Sequence, residues 1–128
     1  MVTDVFTAIR GYDHVRSWTR TAGTRTLSDL VVEIRSGSIR YAGETSLLVA
    51  SSVVARQSAT VAAIDISGTD LVSSPNVIAY SIDRVEMEKI PVSSVYVIEF
   101  RARVDGGPEE QIGRHAFVVS PQAAVRVS

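Results

Sequence analysis

Cysteine is absent from the 128-residue chain, which excludes disulfides, thiolate metal sites and cysteine nucleophiles. Lysine is nearly absent too: of 13 basic residues only Lys89 is a lysine, leaving 13 − 1 = 12 arginines against 14 acidic residues. A net charge of −1, with Arg10, Arg16, Arg20, Arg25, Arg35, Arg40 and Arg56 scattered along the chain, argues against nucleic acid, which needs a concentrated basic face. Arginine in place of lysine suits planar, multi-donor contacts at interfaces; a GC-rich genome gives the same bias. No long apolar run occurs. The least charged stretch, residues 41–63, is broken by Glu44, Arg56 and many hydroxyl groups, so no membrane-spanning helix is expected. The opening Met1-Val2-Thr3-Asp4 carries an acid where a signal peptide carries basic residues, which predicts synthesis in a cytoplasm.

Histidine is as sparse, with two residues, His14 and His115. No His-x-His or His-x-x-x-His pair holds two ligands on one element, so neither a metal nor another cofactor is expected. His115, Asp65 and Ser67 are the residue types of a nucleophilic triad, but no spacing brings them together, and His115 reads as a core-margin residue. Gly106-Gly107 lacks the Lys, Ser or Thr and the helix of a phosphate loop, and Ser67-Gly68-Thr69 lacks partner glycines at dinucleotide spacing. No catalytic residue is nominated, and the chain reads as a non-enzyme.

What the chain does have is alternation. Val95, Val97, Glu99, Arg101 and Arg103 share one parity and Tyr96, Ile98, Phe100, Ala102 and Val104 the other, the period of a half-buried strand. Residues 111–119 read as its return strand across Asp105-Gly106-Gly107-Pro108-Glu109-Glu110, which supplies positive φ and interrupts the ladder. Further strands are expected over residues 5–9, 14–20, 30–35, 58–66, 77–84 and 123–127, with a less regular segment at 85–90. Ser36-Gly37-Ser38 is expected to end its strand, 42–44 to turn, and 47–56 is open between a strand and a short helix. Seven or eight short strands describe one all-β domain over residues 1–128, a sandwich or barrel.

Two surfaces stand out. Arg16, Trp18 and Arg20 share one strand face near Tyr12, either as a contact surface or as a cover over one end of the core. Tyr12 and Trp18 also suit an apolar platform for a sugar ring, the basis of an alternative reading as a carbohydrate-binding module. Glu99, Arg101 and Arg103 form a charged ladder that faces solvent or a neighbouring copy, giving register more than affinity.

The segments Val5-Phe6-Thr7-Ala8-Ile9-Arg10-Gly11-Tyr12-Asp13, 30–35, Ile64-Asp65-Ile66-Ser67, Ala79-Tyr80-Ser81-Ile82, 96–103, Val104-Asp105-Gly106 and His115-Ala116-Phe117-Val118-Val119 together resemble small β-sandwich virion proteins of tailed bacteriophages. The layout is similar to the amino-terminal domain of baseplate upper proteins. That resemblance implies an antiparallel β-sandwich, immunoglobulin-like or related, with an extended N-terminal segment. It implies a structural protein of the virion, a tail or baseplate adaptor or a head decoration or fibre-base protein, made in the bacterial host. Its partners would be other virion proteins in a homo-oligomer or symmetric array, without nucleic acid or membrane. The segment from Val5 to Trp18, with Phe6, Tyr12 and Arg16 in it, is the first place the resemblance implies for an inter-subunit contact.

Overall fold

The computed structural model describes residues 5–20, 26–42, 45–57, 61–74 and 76–121. Eight strands and one helical turn follow in order: β1 (Val5–Ile9), β2 (His14–Thr19), β3 (Leu27–Ala42), β4 (Thr45–Arg56), β5 (Ala62–Ala63), β6 (Val77–Ile82), α1 (Arg84–Met87), β7 (Ser93–Val104) and β8 (Glu109–Ser120). They build a six-stranded sheet in the order β1-β8-β7-β3-β4-β5 and a two-stranded sheet, β2-β6. Ladders are antiparallel except at the two edges, where β1 runs parallel to β8 and β5 parallel to β4.

The alternation read from the sequence decides what lies between the sheets. On β7 Tyr96, Ile98 and Phe100 point inward; on β3 Val32 and Ile34; on β8 Phe117 and Val119; on β6 Ile78, Tyr80 and Ile82. These side chains form one core, and burying each is worth about 1.5–3 kcal/mol. Met87 and Ile90, three residues apart, both reach that core from the α1 turn, a helical spacing that explains why 85–90 does not form a strand.

The 8-7-3-4 order facing a 2-6 pair is the strand arrangement of an immunoglobulin-like sandwich, with β2, β3, β4, β6, β7 and β8 in the places of strands B, C, C′, E, F and G. A second mark of that fold is the Tyr96 hydroxyl near the start of β7, which donates to the Pro91 carbonyl five residues upstream at 2.7 Å. Antibody domains join B to F by a disulfide; here Trp18 of β2 stacks on Phe100 of β7, ring centroids 4.7 Å apart. The expected antiparallel sandwich of seven or eight strands is the fold observed.

Residues 47–56, left open between a strand and a short helix, fall in β4. Other expectations are corrected. Ser36-Gly37-Ser38 does not end β3, because Gly37 sits beside register shifts that bend the ladder and let it continue to Ala42. From Gly37 and Ala50 outward, β3 and β4 pair with each other while the β3–β7 ladder stops at Ser36 and Tyr96. The 58–66 strand is reduced, among the described residues, to β5 and a bridge from Asp65 to Ser81. The 123–127 strand lies outside the described residues.

Candidate functional site

The N-terminal candidates separate by parity. Phe6 is fully buried, so as a contact residue it is corrected: its ring lies between His115, 5.1 Å away, and the Arg16 guanidinium, 4.2 Å from its centroid. Val5, on the opposite face of β1, is exposed. Arg16 and Trp18 point inward from β2 and close the side of the sandwich where β1 and β2 form the sheet edges, and both are half-buried. Trp18 can press so deeply because β8, across the sandwich, carries Gly113: a Cβ there would lie 2.5 Å from Trp18 Cη2. One face of the indole is taken by Phe100, so Trp18 covers the core and is not a free platform. Tyr12 stands apart in the Arg10–Asp13 turn, half exposed, and Arg20 follows β2 with its amide on the Asn76 carbonyl at 2.9 Å.

Behind Arg16 lies His14, buried, with Nε2 2.9 Å from the Tyr80 hydroxyl. Burial, helped by the Arg16 charge, depresses the imidazole to about 4; burial likewise pushes the Tyr80 phenol well above its usual range, with Arg16 opposing. Both groups are neutral at pH 7 and serve the core. His115 packs among Phe6, Trp18 and Phe100, whereas the Asp65 carboxylate is occupied by the Ser67 amide at 2.8 Å. The triad considered from composition is therefore not assembled. Among the described residues no group of three or more His, Asp or Glu side chains is placed to hold a metal ion.

The charged ladder is where the structure adds most. Glu99 does not face open solvent; it is buried, beside a more deeply buried Glu33. Cross-strand register sets Arg56, Glu33, Glu99 and Arg114 in one row over β4, β3, β7 and β8, on the outward face of the large sheet. Two carboxylates directly opposite one another repel, and four guanidiniums offset this. Glu33 meets Arg35 and Arg101 at 3.0 Å and Arg56 at 3.3 Å; Glu99 meets Arg35, Arg101 and Arg114 at 3.4 Å. Burial pushes the Glu33 carboxyl up, but hydrogen bonds from Arg101 and Arg35 outweigh it and hold it below the usual carboxylate range. Burial lowers the Arg101 pKa and its carboxylate neighbours, Glu33 first, raise it further.

With Glu109 at the rim counted, which Arg101 also meets, four guanidiniums against three carboxylates leave this lattice with an excess of one positive charge, at arginine side chains 25–50% exposed. Arg103 turns to the Gly107 and Gly106 carbonyls of the hairpin. Glu33, Arg35, Arg56 and Arg114 escaped sequence reasoning. The available signal was the repeated step Glu-x-Arg, at 33–35 and again at 99–101.

On the opposite side of the sandwich, outward of β2 and β6, a cleft of about 380 Å³ has Ile64 and Ile82 at its floor, exposed Val15 in its wall and Asp13, Asp65, Asp83 and Glu86 around it. It adjoins a shallower trough of small residues, Ser17, Gly68, Ala79 and Ser81, bounded by Arg16 and Asp65.

Fold and site together define an immunoglobulin-like β-sandwich domain with a charged, partly exposed sheet face. No family model matches the chain, and no curated protein matches it. Among solved structures, a chain from work on multimeric cell-adhesive interactions of VGSC beta subunits aligns at 12% identity, covering 91% of this chain and 90% of that one, with a TM-score of 0.39. The expectation of a tailed-phage virion structural protein is corrected here: none of these comparisons finds anything specific to baseplate proteins.

Proposed function

We propose that this chain is a non-enzymatic binding module that docks a protein ligand on the outward face of its six-stranded sheet. The observation that carries the reading is the arginine lattice. Buried Glu33 and Glu99 hold Arg35, Arg56, Arg101 and Arg114 in place, so little side-chain entropy is left to lose when a partner's carboxylates arrive. Exposed Val5 and Val95 supply apolar area on the same face. A tightly packed core with neutral His14 and Tyr80 supports a scaffold reading over a reactive one.

The test compares three substitutions in a binding screen against protein and glycan arrays, with thermal unfolding to check the fold. Thr7→Glu places an acid on the arginine face without touching a buried ion pair; Tyr12→Ala removes the exposed aromatic ring; Asp83→Arg changes the opposite side. The reading expects a salt-sensitive protein ligand lost with Thr7→Glu and kept with Tyr12→Ala. A glycan ligand lost with Tyr12→Ala would replace it with carbohydrate binding.

A further inference from the structure

The two outward faces of this sandwich are unlike in charge. One presents four arginines around two buried carboxylates, spread over four strands or roughly 14 Å. The other presents an apolar-floored cleft among Asp13, Asp65, Asp83 and Glu86. Lys89 neutralises Glu86 at 2.9 Å, which leaves Asp13, Asp65 and Asp83 to set the sign of the cleft; Arg84 contributes its backbone amide to Asp13 at 2.8 Å. A floor of isoleucine under carboxylates suits an arginine side chain, whose stem is apolar and whose head is a cation.

We infer that this chain associates with a second copy head to tail, the arginine face of one molecule seating on the carboxylate-rimmed cleft of the next. This rests on the proposed docking role of the arginine face and names its partner. A two-fold dimer through the arginine face would set excess positive charge against itself, which costs affinity. Matching unlike faces removes that repulsion and brings Val5 and Val95 of one copy toward Val15 of the other, all exposed. Such a contact is heterologous, so each copy keeps one free face of each kind and association continues past the dimer. A standard interface covers roughly 800 Å² per partner, about a tenth of this chain's 7466 Å² surface. The charge-rich character of both faces places the contact at the weak, salt-sensitive end of that class.

Sedimentation velocity of the whole chain, at low and high salt over a concentration series, reads the outcome. The expected result is growth past the dimer at low salt and monomer at high salt. Thr7→Glu and Asp83→Arg each weaken association roughly tenfold or more while leaving thermal unfolding near wild type. Combining Thr7→Glu with Arg56→Glu in one protein and mixing it with Asp83→Arg has a sharper outcome. The first keeps a working cleft and the second a working arginine face, so the mixture forms a 1:1 complex that does not grow. A wild type that stays monomeric at low salt, or a mixture with no 1:1 complex, overturns the self-association. If Thr7→Glu still abolishes binding of an array ligand in that case, the docking role survives; if Thr7→Glu changes nothing in either assay, both fail.

Discussion

Single residues set the tolerances of this domain. Gly113 is required because Trp18 occupies the space where a Cβ would stand. Gly113→Ala is expected to lower stability by about 1–3 kcal/mol through overpacking. It also shifts Trp18 emission to the red, readable because Trp18 is the single tryptophan. His14 makes stability depend on pH. Its folded pKa of about 4 lies below the ordinary 6.5, so the unfolded chain binds the proton more tightly and stability falls as pH drops from 6.5 toward 4. The loss is about 2 kcal/mol at pH 5 and about 3 kcal/mol once both states are protonated. Urea titrations at pH 7 and pH 5 measure it, and His14→Gln, which keeps a polar partner for Tyr80 without titrating, is expected to remove most of that difference.

At the scale of elements, ladders carry the charge pattern and one hydroxyl ties a corner. Glu33 gathers arginines from β3, β4 and β7. Glu33→Gln is expected to cost about 1–3 kcal/mol at neutral pH. Because the folded Glu33 pKa is depressed, its contribution is present above the ordinary carboxylate pKa and is lost as pH falls through the folded value. Wild type and variant therefore converge in acid, which denaturation curves at neutral and acidic pH would show. The Tyr96 hydroxyl links β7 to the segment leaving α1; Tyr96→Phe is expected to cost about 1 kcal/mol in the same measurement. Alternation made β1, β2, β3, β6, β7 and β8 legible as strands. It did not reveal α1, whose buried Met87 and Ile90 are too short a helical signal to read, nor the continuation of β3 through Gly37, since glycine marks a bulge and a turn equally well.

For the whole molecule, the decisive feature is that the arginine lattice and the carboxylate-rimmed cleft lie on opposite faces of the sandwich. The count of 13 basic and 14 acidic residues hides this, because a count has no direction. Salt is the corresponding whole-molecule probe: moving from low to physiological ionic strength shortens the screening length to about 8 Å. It is expected to weaken assembly, followed by light scattering, while melting temperature changes little because the core is apolar.

By itself, the sequence determined an all-β domain of seven or eight strands, the inward and outward parity of its main strands and the lack of disulfide chemistry. These follow from a two-residue period and from composition, both local properties. Tertiary structure alone decided that Arg56 and Glu33, 23 residues apart, and Arg114 and Glu99, 15 residues apart, share one row, and that Phe6 is sealed beneath Arg16. Register between distant strands is set by how their apolar faces fit together across the core, a condition no single segment contains.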